Sequence, residues 1–254
     1  MPHVFTQRSR KLGLLTRPNK PGLHPTWEAI NAIVYELGGI LYILGSILFL
    51  PAYEEHVSVA SLLFVVASVL YIIVSLHDCI EIFFCSEEFV LLDAAAAVSY
   101  VVGAVIFIFG SIFFLPGVGR YTAGAWCFIW GSFLFVAASA MNAMQIFQAK
   151  SLWTARYLNL TAVCYVIGST MFMVASVPYL FTFESSEDQV MIDKFLAVQY
   201  IVGSVFFAIG GIINYIRAYL AVQDDDKTLA LLWVEETTGD IASPIKIALP
   251  AEYM

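Results

Sequence analysis

The amino-acid sequence predicts an all-α, polytopic transmembrane bundle of six helices, built as three helical-hairpin repeats. Three observations predict it. First, of 254 residues, 60% are hydrophobic and only 13% charged, with a mean hydropathy of +0.82. Soluble domains carry roughly one quarter charged residues. Second, six apolar runs occupy about 29–50, 58–80, 94–115, 121–147, 157–178 and 195–220. Each supplies the ~20 residues that a helix needs to cross ~30 Å of hydrocarbon. Third, the phrase GSILFLP (Gly45–Pro51) returns 65 residues later as GSIFFLP (Gly110–Pro116). Transmembrane strands would instead read as alternating segments of about ten residues.

The first element is a basic tail, residues 1–28, holding Arg8, Arg10, Lys11, Arg17 and Lys20 between prolines. Only LGLL follows its basic residues, too short for the apolar stretch of a signal peptide, so an uncleaved cytoplasmic tail is expected. Hairpin 1 covers 29–84, hairpin 2 covers 86–148 and hairpin 3 covers 156–220, followed by an acidic cytoplasmic tail, 221–254. With the N-terminus inside, the inner segments hold five, none, two and three Lys or Arg. The outer loops hold only Arg120 and Lys194. Lys and Arg decide orientation, so an N-in, C-in protein of the plasma membrane is expected. The net charge of −8 resides in loops and tail such as YEEH, FESSEDQ and QDDDK. It excludes nucleic acid as a partner and leaves the lipid bilayer as the expected one, with a protein partner expected through the C-terminal tail, where LALLWVEE is apolar enough to dock.

Every span carries a small residue, then Ser, then an aromatic four positions after the small one, starting at Gly45, Ala67, Gly110, Gly131, Gly168 and Gly203. Read backwards, the stripe becomes small, aromatic, small, aromatic at i, i+4, i+7 and i+11. Span one gives Gly38, Tyr42, Gly45, Phe49, and span five gives Thr161, Tyr165, Gly168, Phe172. That spacing draws one face of a helix. In lipid, helices associate through close packing, which small residues permit, so the stripe is expected to hold the bundle together.

These hairpins of about 60 residues, opened by WEAINAIVYELGGILYILGSILFLP, resemble the YrhK-like family of small membrane proteins. Trp27 to Phe147 carries most of the resemblance, and the third hairpin is degenerate. The resemblance implies the hairpin fold and supplies no catalytic residue.

Polar residues inside the spans are the candidate functional groups. Aligning the even spans on Ser68, Ser132 and Ser204 matches Asp78 with Asn142 and Asn214, and Glu81 with Gln145 and Arg217. Each pair is spaced i, i+3 on one side of its helix. Glu36 is the deepest carboxylate, and an ionised group there costs at least ~2.5–3.5 kcal/mol unless paired, hydrated or protonated. These seven residues knit the inner ends together in one reading, with Arg217 neutralising Glu36, Asp78 or Glu81. In another they form an ion or proton pathway, or a cytoplasm-facing ligand pocket. His77 and Glu81 at i, i+4 have ligand spacing, but no third ligand matches, so neither a metal nor a cofactor is expected. No hydrolase, P-loop or dinucleotide motif occurs, and four scattered cysteines argue against a disulfide framework. A non-enzymatic structural or interaction protein is the leading expectation, and an ion or proton transporter or small-ligand-binding protein the alternative.

Overall fold

A computed structural model describes the backbone of residues 25–80, 82–83, 91–144, 152–181 and 185–238, with the side chains of most of these. Among them there are six long helices and no strand: α1 (Pro25–Leu48), α2 (Val57–Ile80), α3 (Leu91–Phe113), α4 (Tyr121–Ala143), α5 (Leu152–Ser176) and α6 (Ser186–Thr238). Each contains a segment long and apolar enough to cross a membrane. Pro25 sits at the first position of α1, where its missing N–H costs nothing. Pro51 and Pro178 open short 3₁₀ turns after α1 and α5. After α3 the chain turns at Gly119, whose φ of 61° lies in the left-handed region open to glycine.

α6 differs most from the sequence expectation. It begins at Ser186, nine residues before the expected start, so that most of SSEDQVMIDK is helical. The Ser185 hydroxyl accepts from the Asp188 N–H at 3.5 Å, and Glu187 and Asp188 favour the positive helix N-terminus. The helix then runs through residue 220 to Thr238, 53 residues in all and about 80 Å at 1.5 Å per residue.

Consecutive helices pack side by side, and α6 packs on α1, closing a ring. Its centre is filled by aromatic rings. Tyr42, Phe107 and Phe172 from α1, α3 and α5 form a triangle, with ring centroids 6.4, 5.9 and 5.8 Å apart. Phe64, Phe128 and Tyr200 from α2, α4 and α6 form a second, at 6.1, 6.3 and 6.2 Å. Three helices on alternate sides of a ring can bring rings into mutual contact only at its axis. Nearer the loop end, Phe114 lies 6.2 Å from Phe49 and 5.0 Å from Tyr179. Within each hairpin the two triangles interlock identically, with Tyr42–Phe64, Phe107–Phe128 and Phe172–Tyr200 all at 5.0 Å.

These triangles fix the internal register and correct one expectation. Tyr42, Phe107 and Phe172 are each 65 residues apart, as are Tyr35, Tyr100 and Tyr165. Tyr165 is therefore the counterpart of Tyr35, not of Tyr42, and the span-five stripe lies one heptad earlier than the shared motif suggests. The serines agree. Ser46, Ser111 and Ser176 donate to the carbonyls of Tyr42, Phe107 and Phe172 at 2.7, 2.8 and 2.8 Å, whereas Ser169 occupies the place of Gly39 and Ala104.

The small residues let these rings in. A Cβ on Gly131 would meet the Phe107 ring at 2.5 Å, one on Gly203 the Phe172 ring at 2.8 Å, one on Gly45 the Phe64 ring at 2.6 Å and one on Gly110 the Phe128 ring at 2.9 Å. Ala67 is buried at the position of Gly131 and Gly203. Gly168 lies against the Gly203 carbonyl, 2.9 Å from its would-be Cβ. The outward faces are apolar, with Ile33, Leu37, Ile40 and Leu44 exposed along α1 and Trp126, Trp130 and Phe133 along α4. An apolar belt on a bundle whose core is already filled suits a lipid bilayer.

Candidate functional site

The ring has two unlike ends. Toward the loops after α1, α3 and α5 aromatic rings fill the axis, with buried serines such as Ser46, Ser176 and Ser204 bonded around them. Toward the end where α1 begins, here the base, polar side chains accumulate inside the bundle. Asp78, Asn142 and Asn214 occupy equivalent positions in α2, α4 and α6 and are only 3%, 7% and 6% exposed. Above them lie Tyr35, Tyr100 and Tyr165, all buried.

The hydroxyl of Tyr100 accepts from the Asn142 side-chain amide at 3.2 Å and lies 3.1 Å from the Ser139 hydroxyl. Asp78 is within electrostatic reach of Tyr100. Tyr100 is in turn within reach of Tyr165, and Glu36 within reach of both Tyr165 and Tyr71. Tyr100 thus lies within electrostatic range of buried Asp78, and Tyr165 within range of half-buried Glu36, in the base half of the bundle. Asn31 approaches the His77 ring at 3.5 Å at the base of α1 and α2. Asp93, buried at the start of α3, adds a further carboxyl at the same end.

Glu36 lies on α1 against α6, with its Oε1 atom buried at the position that a Cβ of Gly211 would take. Its ring-mates in the other hairpins are Val101 and Val166. Of the expected pairs, the structure describes Asp78, Asn142 and Asn214. Glu81 and Gln145 lie outside the described residues, as does the Arg217 side chain, and with it the expected neutralisation of a carboxylate by Arg217. The His77–Glu81 spacing is outside them for the same reason. Cys79, Cys127 and Cys164 are free thiols.

Sequence reading passed over the tyrosines, because a tyrosine in an apolar run reads as core or interface. The signal was there in principle: Tyr35, Tyr100 and Tyr165 recur at an unbroken interval of 65 residues.

Residues 25–82 and 91–146 each match the family model of YrhK-like proteins. Through these two units the chain is similar to the YrhK-like family, and hairpin 3 lies outside both matches. Among curated proteins and among solved structures the chain has no match.

Proposed function

We propose that this YrhK-like chain is a non-enzymatic multi-pass membrane protein with a structural or interaction role, oriented N-in and C-in in the plasma membrane. One observation carries the reading. The axis of the helical ring, where a conduit would run, is occupied by interlocked aromatic triangles with centroids about 6 Å apart, the separation of rings in contact. A pore needs polar groups or an opening gate along its length. The buried acidic and amide groups Asp78, Asn142 and Asn214 lie at the base, and the hydroxyls of Tyr42 and Tyr200 within the triangles are held by Ser68 and Ser176. The continuous helix of α6, projecting about 33 Å beyond Ile216 at 1.5 Å per residue, supports the C-terminal segment as the element that reaches a protein partner.

Flux in proteoliposomes tests this. Proton, sodium and potassium fluxes should equal those of protein-free vesicles. A flux that is present in the wild type and abolished by Glu36→Gln with Asp78→Asn would overturn the reading. The second reading, a transporter or ligand-binding protein open to the cytoplasm, is favoured by the Glu36 and Asp78 carboxyl groups and the buried phenols near them.

A further inference from the structure

The three-fold repeat tells which side chains the fold requires, and its departures show which it does not. Five departures gather around the closure of α6 on α1, three in the seam itself and two, Tyr71 and Gly210, on the neighbouring contacts with α1 and α5. Glu36 stands where the other hairpins have Val101 and Val166, and Gly39 where they have Ala104 and Ser169. Tyr71 replaces Phe135 and Phe207, Gly210 replaces Val74 and Ala138, and Gly211 replaces Ser75 and Ser139. Each change either adds an oxygen or removes a side chain from the same small volume.

The groups left around that volume are oxygens. Tyr35 and Tyr71 stack at 4.5 Å, with Tyr165 6.0 Å from Tyr35, and the three are 1%, 3% and 0% exposed. The Tyr35 hydroxyl lies within hydrogen-bonding reach of those of Tyr71 and Tyr165. Neither pair has good geometry, and none of the three hydroxyls has another partner among the described residues. Buried Glu36 Oε1 completes no hydrogen bond among them. The Tyr71 hydroxyl lies 3.6 Å from the would-be Cβ of Gly39, and the Tyr35 ring 2.6 Å from that of Gly211. Buried oxygens without well-made bonds are destabilising unless a ligand satisfies them.

We propose that the α1–α6 seam binds one alkali cation, with the Glu36 carboxylate as the charged ligand and the Tyr35, Tyr71 and Tyr165 hydroxyl oxygens as neutral ones. A single carboxylate matches a single positive charge, so the loaded seam is neutral in an apolar setting, whereas a divalent ion would leave an unbalanced charge there. A proton alone would occupy Glu36 and leave three phenols as they are. The described groups around Glu36 are Tyr71 from α2 and Tyr165 from α5, while α6 presents Gly211, whose would-be Cβ also meets the Tyr35 ring of α1. The site is one of occupancy, not of passage, and goes beyond the closed-axis reading. A flux result would not decide it.

The test uses the full chain in lipid nanodiscs and a hydrophobic carbodiimide, which modifies protonated carboxyl groups in apolar surroundings. Mass spectrometry reads the adduct at Glu36. In choline chloride the adduct should form, and sodium or potassium chloride at equal ionic strength should suppress it. Glu36→Gln should remove the adduct from that peptide. Tyr71→Phe, which installs the residue of both other hairpins, should raise the half-protecting sodium concentration about fivefold, the effect of losing one hydrogen-bond-sized interaction. Equal labelling in all three salts, no label at Glu36 in any of them, or protection untouched by Tyr71→Phe would overturn the proposal. Tyr71→Phe keeps it decidable should Glu36→Gln fail to fold.

Discussion

The seam between α6 and α1 and its counterparts between α2 and α3 and between α4 and α5 are built on one plan and differ in chemistry. At the two internal seams the equivalent positions hold Val101 with Ser75 and Val166 with Ser139. At the closing seam they hold Glu36 with Gly211, and the carboxyl oxygen fills the space that a side chain on Gly211 would need. The Tyr100 hydroxyl has Ser139 and Asn142 beside it, whereas Tyr165, whose hairpin carries Gly211 in place of that serine, has among the described residues only the Tyr35 hydroxyl within reach. Packing explains the internal seams completely. It does not explain why a membrane bundle retains the Glu36 carboxyl group and the Tyr71 hydroxyl where valine and phenylalanine serve twice over.

That contrast can be broken in graded steps. The largest effect is expected from packing common to all hairpins. Gly131→Leu forces a side chain into the Phe107 ring and the Gly103 carbonyl, and should destabilise the bundle by about 3 kcal/mol or more, read by reversible unfolding in mixed micelles. Gly131→Ala should cost about 1–3 kcal/mol. Next is conversion of the closing seam to the internal kind. Glu36→Val should stabilise the fold by about 1–3 kcal/mol, by removing a carboxyl group from an apolar seam, and should abolish alkali-sensitive labelling. A loss of stability would instead make Glu36 a structural tie. The smallest effect is expected from Tyr42→Phe in the core. It deletes a 2.6 Å hydroxyl contact with Ser68 and should cost about 0.5–1.5 kcal/mol, since Ser68 keeps its own bond to the Phe64 carbonyl at 2.8 Å.

Much of this architecture was legible in the sequence. The six spans follow from apolar length, and the match of Asp78 with Asn142 and Asn214 follows from aligning the serines of the even spans. The register of span five was not legible from the motif. Small residue, serine and aromatic recur one heptad apart there, so Gly168-Ser169 imitates Gly45-Ser46 while Ser176 makes the equivalent bond. The start of α6 was misread because acidic and serine residues look like a loop, although together they make a favourable helix N-terminus. Glu36 stood out as a charge in an apolar run. Its meeting with Gly211 could not be read, because it depends on the first helix packing against the last.

Closure of the ring by α6 on α1 creates that meeting, and disulfide trapping examines it most directly. A Cβ on Gly39 would lie 3.4 Å from that of Ala208, close to the separation a disulfide requires. In a full-length protein with Cys79, Cys85, Cys127 and Cys164 replaced by alanine, Gly39→Cys with Ala208→Cys should oxidise readily within one molecule. After cleavage between α4 and α5, the two fragments should remain linked until reduced. Fragments that separate without reductant, or links formed only between molecules, would contradict the closed ring.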